Sequence, residues 1–228
     1  MAVTFTLLDS GASTTPTDPH ATGIFTATPH MVAFVSGQGA ASLADPTGLT
    51  GLATWTLREE QDWDDAASNQ GSFTVWTCSD GTGLGTVAID TASWTSICWA
   101  IFSITFSDSS VNDGVVQNLD EVSDTSTDDD VTITMSAAGS TDARFIYGVV
   151  IDNNETVTWG AGFTGLTERQ ITSPNMTLSV ASSDASTGVT PVATFTNCKN
   201  AIIGLEFKAA ASGVVIPKMI ANYRWRRA

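Results

Sequence analysis

The sequence predicts an all-β fold, an antiparallel sandwich of two sheets. Three observations carry that expectation. About twelve short runs read as strands, spaced roughly 10–20 residues apart and separated by Gly- and Asp-rich turns. No stretch shows a sustained apolar period of 3.6, the mark of an amphipathic helix. Charged residues make up only 14% of the chain. Ser and Thr are abundant, which suits strands whose outer faces are covered by hydroxyls.

Residues 1–8 alternate weakly and read as a short strand, and 9–23 carry the breakers of a loop, including Pro16, Asp18 and Pro19. Residues 31–36 form a strand, followed by a Gly/Ala/Asp/Pro loop to about Gly51. Residues 53–57 form another, which runs out through Arg58–Asp62 into an acidic loop at 62–65. Residues 72–78 alternate cleanly, with Phe73, Val75 and Thr77 on one side. Gly81, Gly83 and Gly85 mark a turn, and residues 86–89 a short strand.

Residues 96–106 are the strand that the rest must cover. The run is uncharged, rich in aromatic and β-branched residues, and free of Gly and Pro. It spans about 36 Å if extended. Its near-continuous apolarity predicts a central strand buried on at least one face, and on both near its start. After a polar turn at 108–114, residues 115–118 read as a short strand or extended loop, and 120–130 as a solvated acidic loop. Residues 131–135 alternate strictly, and 144–151 form a second long apolar strand. Residues 157–159 lead into a Gly-rich corner at 160–166. Strands at 176–180, 192–196 and 201–207 close the set. No linker divides the chain, so residues 1–208 are expected to form one domain and 209–228 an extended tail.

Net charge is −15, which disfavours nucleic acid or an anionic membrane as partner. The charge is divided along the chain. All 24 acids precede residue 207, whereas Lys208, Lys218, Arg224, Arg226 and Arg227 follow with no acid among them. A basic tail on an acidic body is expected to dock on an acidic surface, its own or a neighbour's. Cys78, Cys98 and Cys198 are odd in number and lack metal-knuckle spacing, so they read as buried free thiols. No signal peptide and no membrane span are expected, and the Asn154 and Asn175 sequons then carry no meaning.

Several constellations offer chemistry beside a plainer reading. Glu59, Glu60, Asp62, Asp64 and Asp65 could serve as a glycosidase carboxylate pair or a calcium loop, but no EF-hand spacing is present. Asp128–Asp130 and the 152–155 turn offer oxygen ligands in the same loose way. The plain reading of all three is a solvated loop or turn, and no metal or cofactor is expected. Trp55, Trp76, Trp99 and Trp159 lie in strand runs and are expected to fill the core between the sheets. Trp63 and Trp94 lie in loops and are the candidates for stacking on a glycan. His20 and His30 carry no catalytic motif. The Gly81–Gly85 run has no following helix, so it is a turn and not a phosphate loop. Lys218, Tyr223, Arg224, Trp225, Arg226 and Arg227 are residue types enriched at binding hot spots, and are the expected partner-binding set.

Across residues 31–208 the order of these signals resembles a group of phage-encoded and environmental β-sandwich proteins. The residues that carry it are 31–36, 96–104, 114–118, the 160–166 corner and 201–208. The resemblance implies a jelly-roll-like fold in virion structural components such as capsid decorations, minor capsid proteins or tail accessories, and transfers no catalytic residue. The expectation is therefore a non-enzymatic protein, made in the host cytoplasm and carried in the virion. It would self-associate and bind other virion proteins through its tail. The alternative is a carbohydrate-binding module or host-glycan adhesin using Trp63 and Trp94.

Overall fold

The computed structural model describes residues 3–39, 48–66, 69–91, 94–106, 115–138 and 141–208. Those residues contain no helix and form an antiparallel sandwich. One sheet has the order β1 (Val3–Ser13), β10 (Trp94–Phe106), β4 (Met31–Gly39), β7 (Asn69–Cys78), β6 (Thr56–Ala66). The other has the order β11 (Val115–Thr132), β16 (Val192–Lys208), β12 (Arg144–Ile151), β15 (Asn175–Ser183), β14 (Phe163–Thr172), with β13 (Thr158–Trp159) pairing β16. Two small sheets join β2 (His20–Ala21), β9 (Ala88–Ile89) and β5 (Leu49–Thr50), and β3 (Phe25–Thr26) with β8 (Leu84–Gly85).

The two main sheets are built alike. Numbering the five long strands of each half in chain order, both sheets read 1-5-2-4-3. Each sheet draws on one half of the chain only, so the strand order is not that of a jelly roll, in which the chain passes back and forth between two sheets. The seams repeat the relation. β6 meets β11 and β1 meets β14, in each case the third strand of one half against the first of the other. The sequence keeps a trace of this. Ala100-Ile101-Phe102-Ser103-Ile104-Thr105-Phe106 of β10 matches Ala201-Ile202-Ile203-Gly204-Leu205-Glu206-Phe207 of β16 at every inward position in type. The molecule is a five-strand unit present twice and closed face to face.

This strand order dictates the layering. With every pair antiparallel, strands 1, 2 and 3 of a half run one way and 4 and 5 the other. Three of the four connections must therefore return along the length of the sheet, and they do so across its outer face. In the first half these returns supply β2, β3, β5, β8 and β9 and cover Ala33, Val35, Trp76, Ile97, Trp99 and Ile101 with Phe25, Leu49, Val87 and Ile89. In the second half Ile133, Met135, Val157 and Val189 cover Phe145, Tyr147, Val149 and Ile202. Phe34, Phe73, Phe102, Ile146, Leu178, Ile203 and Phe207 fill the space between the sheets. Central strands are buried on both faces, which is why β4, β10 and the end of β16 are mostly apolar and lack the alternation of a half-exposed strand.

Several expected loops are strand. β1 continues past a bulge at Leu7/Asp9 to Ser13. The acidic residues 62–65 lie in β6, held by backbone pairing to β7. Residues 120–130 lie in β11, paired to β16. The 160–166 corner opens into the ten-residue β14, and 192–196 and 201–207 are one strand. The 108–114 turn and the 209–228 tail lie outside the described residues.

Candidate functional site

Trp63 and Trp94 are not the exposed loop rings that stacking on a sugar requires. Trp63 projects from β6 into the inter-sheet core and is 0% exposed. Its indole lies across Gly71 of β7, where a Cβ would stand 2.6 Å from Trp63 Nε1. Trp94 is 5% exposed and lies against Gly37 of β4. Glycine on the neighbouring strand makes the space each ring fills, so a Trp that sequence places in a loop becomes a core residue. Trp76 and Trp99 are buried, but on the outer face of their sheet and not between the sheets as expected, and Trp55 and Trp159 are half-buried against the outer-face clusters. Trp99 Nε1 donates to Asp9 Oδ2 at 2.7 Å, and His20 packs on the Trp99 ring at 4.9 Å.

The three cysteines are free and buried. Burial pushes Cys78 up to about 11 and Cys98 and Cys198 up to about 12, so none is a thiolate near neutrality. The carboxylates of Asp128, Asp129 and Asp130 approach within 4.8 Å of one another, but all three residues are exposed and nothing encloses them. In the 152–155 turn, Glu155 accepts bonds from Asn153 Nδ2 and from the backbone and hydroxyl of Thr196, which ties that turn to β16. The described cavities are open. One of about 390 Å³ is lined by Asp18, Gly48, Thr50 and Asp90, and one of about 490 Å³ by Ala137, Ala138, Thr141 and Val189.

What the fold brings together is charge. Glu59, Glu60, Asp62, Asp64 and Asp65 lie on β6, with Arg58. Asp120, Glu121, Asp124, Asp128, Asp129 and Asp130 lie on β11. These two strands are the facing edges of the two sheets, so eleven of the 24 acids share one seam. The opposite seam is built by the equivalent strands and is nearly neutral. β1 carries Asp9, and β14 carries Glu168 and Arg169. There the Arg169 guanidinium donates to Ser10 Oγ from Nη2 at 2.7 Å and from Nε at 3.1 Å. The acidic runs are legible one at a time in the sequence. Their meeting depends on a pairing between halves that no local pattern shows. Lys218, Tyr223, Arg224, Trp225, Arg226 and Arg227 lie outside the described residues.

Comparison with protein-family models, with curated proteins and with solved structures finds no match. The class that the fold itself defines is an all-β, two-sheet antiparallel sandwich with an acidic seam.

Proposed function

We propose that this chain is a non-enzymatic structural component of a virus particle, a capsid decoration, minor capsid protein or tail accessory. It self-associates and docks on the particle through residues 209–228. One observation carries the reading, the separation of charge. Eleven of the 24 acids lie on the two strands of one seam, while the last 21 residues hold five cations, Tyr223 and Trp225, and no acid. The resemblance of residues 31–208 to phage-encoded sandwich proteins supports it. A rigid body with an oppositely charged arm suits assembly, where complementary fields guide encounter and fix register. The glycan-adhesin reading loses its two stacking rings to the core.

The test is particle decoration by the full chain and by a chain ending at residue 216. Deletion of 217–228 is expected to abolish attachment and leave circular dichroism and melting temperature unchanged. Normal decoration by the shortened chain would refute the reading.

A further inference from the structure

We infer that the β6/β11 seam is the docking surface for the basic C-terminal segment of a second copy of this chain. The inference rests on the self-association reading above and names the surface that it uses. Charges on exposed edge strands commonly serve only to prevent unwanted sheet pairing. The duplicated architecture supplies an internal control for that explanation. β1 and β14 are the same two strands of the five-strand unit, meet in the same way, and protect their edges with three charged residues of mixed sign. The excess of acid on β6 and β11 is therefore not a requirement of the seam. It costs stability by self-repulsion, and a cationic partner offsets that cost.

The occupant is argued from charge and from chain direction. The body described here holds Arg58, Arg144, Arg169, Lys199 and Lys208 as its cations, scattered over both sheets. The only run dense in positive charge is Lys218 to Arg227. That segment follows β16, the strand paired to β11. β16 runs antiparallel to β11, passing Asp128 at Cys198 and Asp124 at Asn200, and ends with Lys208 opposite Val115. Lys208, the last described residue, thus stands opposite the first residue of β11, with Asp120 to Asp130 all behind it along the strand. A segment continuing in that direction leads off its own body, and Arg224, sixteen residues on, reaches about 50 Å when extended. A neighbouring copy receives it without a reversal of the chain. Such a contact joins unlike surfaces, head to tail, and builds rings or filaments according to its angle.

The experiment uses two full-length variants. In R224E/R226E/R227E the segment is reversed in charge and the seam is intact. In D62N/D128N/D129N/D130N the seam is weakened at exposed positions and the segment is intact. Sedimentation is expected to show association of the parent chain that weakens at least about tenfold from low to molar salt, as screening shortens to a few ångströms. Each variant alone is expected to be monomeric, and their equimolar mixture to form a one-to-one complex, because one supplies the arm and the other the seam. A parent chain that stays monomeric, association insensitive to salt, or folded variants that fail to complement each other would overturn the inference. Particle decoration separates this from the broader reading. Failure of the two variants to complement, with decoration by the parent chain intact, defeats the seam and spares the particle role. Complementation without decoration does the reverse.

Discussion

Gly148 of β12 lies directly beneath Phe34 of β4, its partner across the sandwich. A Cβ on Gly148 would touch the Phe34 ring and come within 2.7 Å of Phe73 Cζ. Phe34 and Phe73 stack at 6.2 Å, and Phe34 meets Phe102 edge-on at 6.4 Å, so neither ring has room to retreat. The glycine is what lets the second sheet approach the aromatic floor of the first.

Gly148→Ala is therefore expected to destabilise the fold by about 1–3 kcal/mol through overpacking. For a chain of this size that lowers the melting temperature by roughly 2–10 °C. Thermal melting by circular dichroism measures it. An unchanged transition would show that the two sheets can separate at this point without penalty.

Trp63→Ala tests whether that ring is structural. The side chain is wholly buried between the sheets, over Gly71. Removing it leaves a cavity that β6, an edge strand, can only partly close, at a cost of about 3–5 kcal/mol. Denaturant titration should show that loss. A variant of parental stability that had lost affinity for a sugar would restore the ring to an exposed binding role.

How much of this was legible follows from what each strand buries. β10 and β12 are covered on both faces, so their sequences are largely apolar, without a strict alternation, and reveal them at once. β6, β11 and β14 are edges, held by backbone pairing on one side, and nothing in Glu59–Asp65 or Asp120–Asp130 alternates. Charge there reads as loop because side chains carry no signal of the hydrogen bonds their backbones make. The duplication was written in Ala100–Phe106 and Ala201–Phe207, at the inward positions and at the outward pair Ile101 and Ile202, but it is broken by Ser103 against Gly204 and Thr105 against Glu206. Trp63 and Trp94 were misplaced for a further reason. The glycines that receive them belong to other strands, and a pocket formed by pairing has no local signature.

Arg169→Ala tests the neutral seam. Arg169 of β14 donates twice to Ser10 Oγ of β1, joining the two halves. The guanidinium is half-buried, and Cys98 Sγ lies 3.7 Å from the Arg169 carbonyl just beneath. Loss of a charge-assisted pair of this kind costs about 1–2 kcal/mol. Ser10→Ala removes the same acceptor, so the double variant should be less destabilised than the sum of the two single ones. Strict additivity in denaturant titrations would mean that the contact holds nothing.

The buried thiols give the fold an alkaline limit. Unfolded cysteine ionises near pH 8.5–9, whereas burial holds Cys78 protonated to about 11 and Cys98 and Cys198 to about 12. Above the unfolded value the unfolded chain binds fewer protons than the folded one, so stability falls as pH rises. Each thiol contributes a loss of about 1.4 kcal/mol per pH unit, from near pH 9 until its folded value is reached. Tyr147 acts in the same sense, since burial followed by the charge of Glu206 raises its phenol and its hydroxyl donates to Gly188. Below about pH 8 these groups are neutral in both states and stability should not depend on them. Denaturant midpoints at pH 8, 9, 10 and 11, compared with a Cys98→Ala chain, measure the contribution of Cys98 as the difference in slope. Parallel slopes for the two chains would show that Cys98 ionises as readily in the folded protein as in the open chain, and that the space between β10 and β14 is wet.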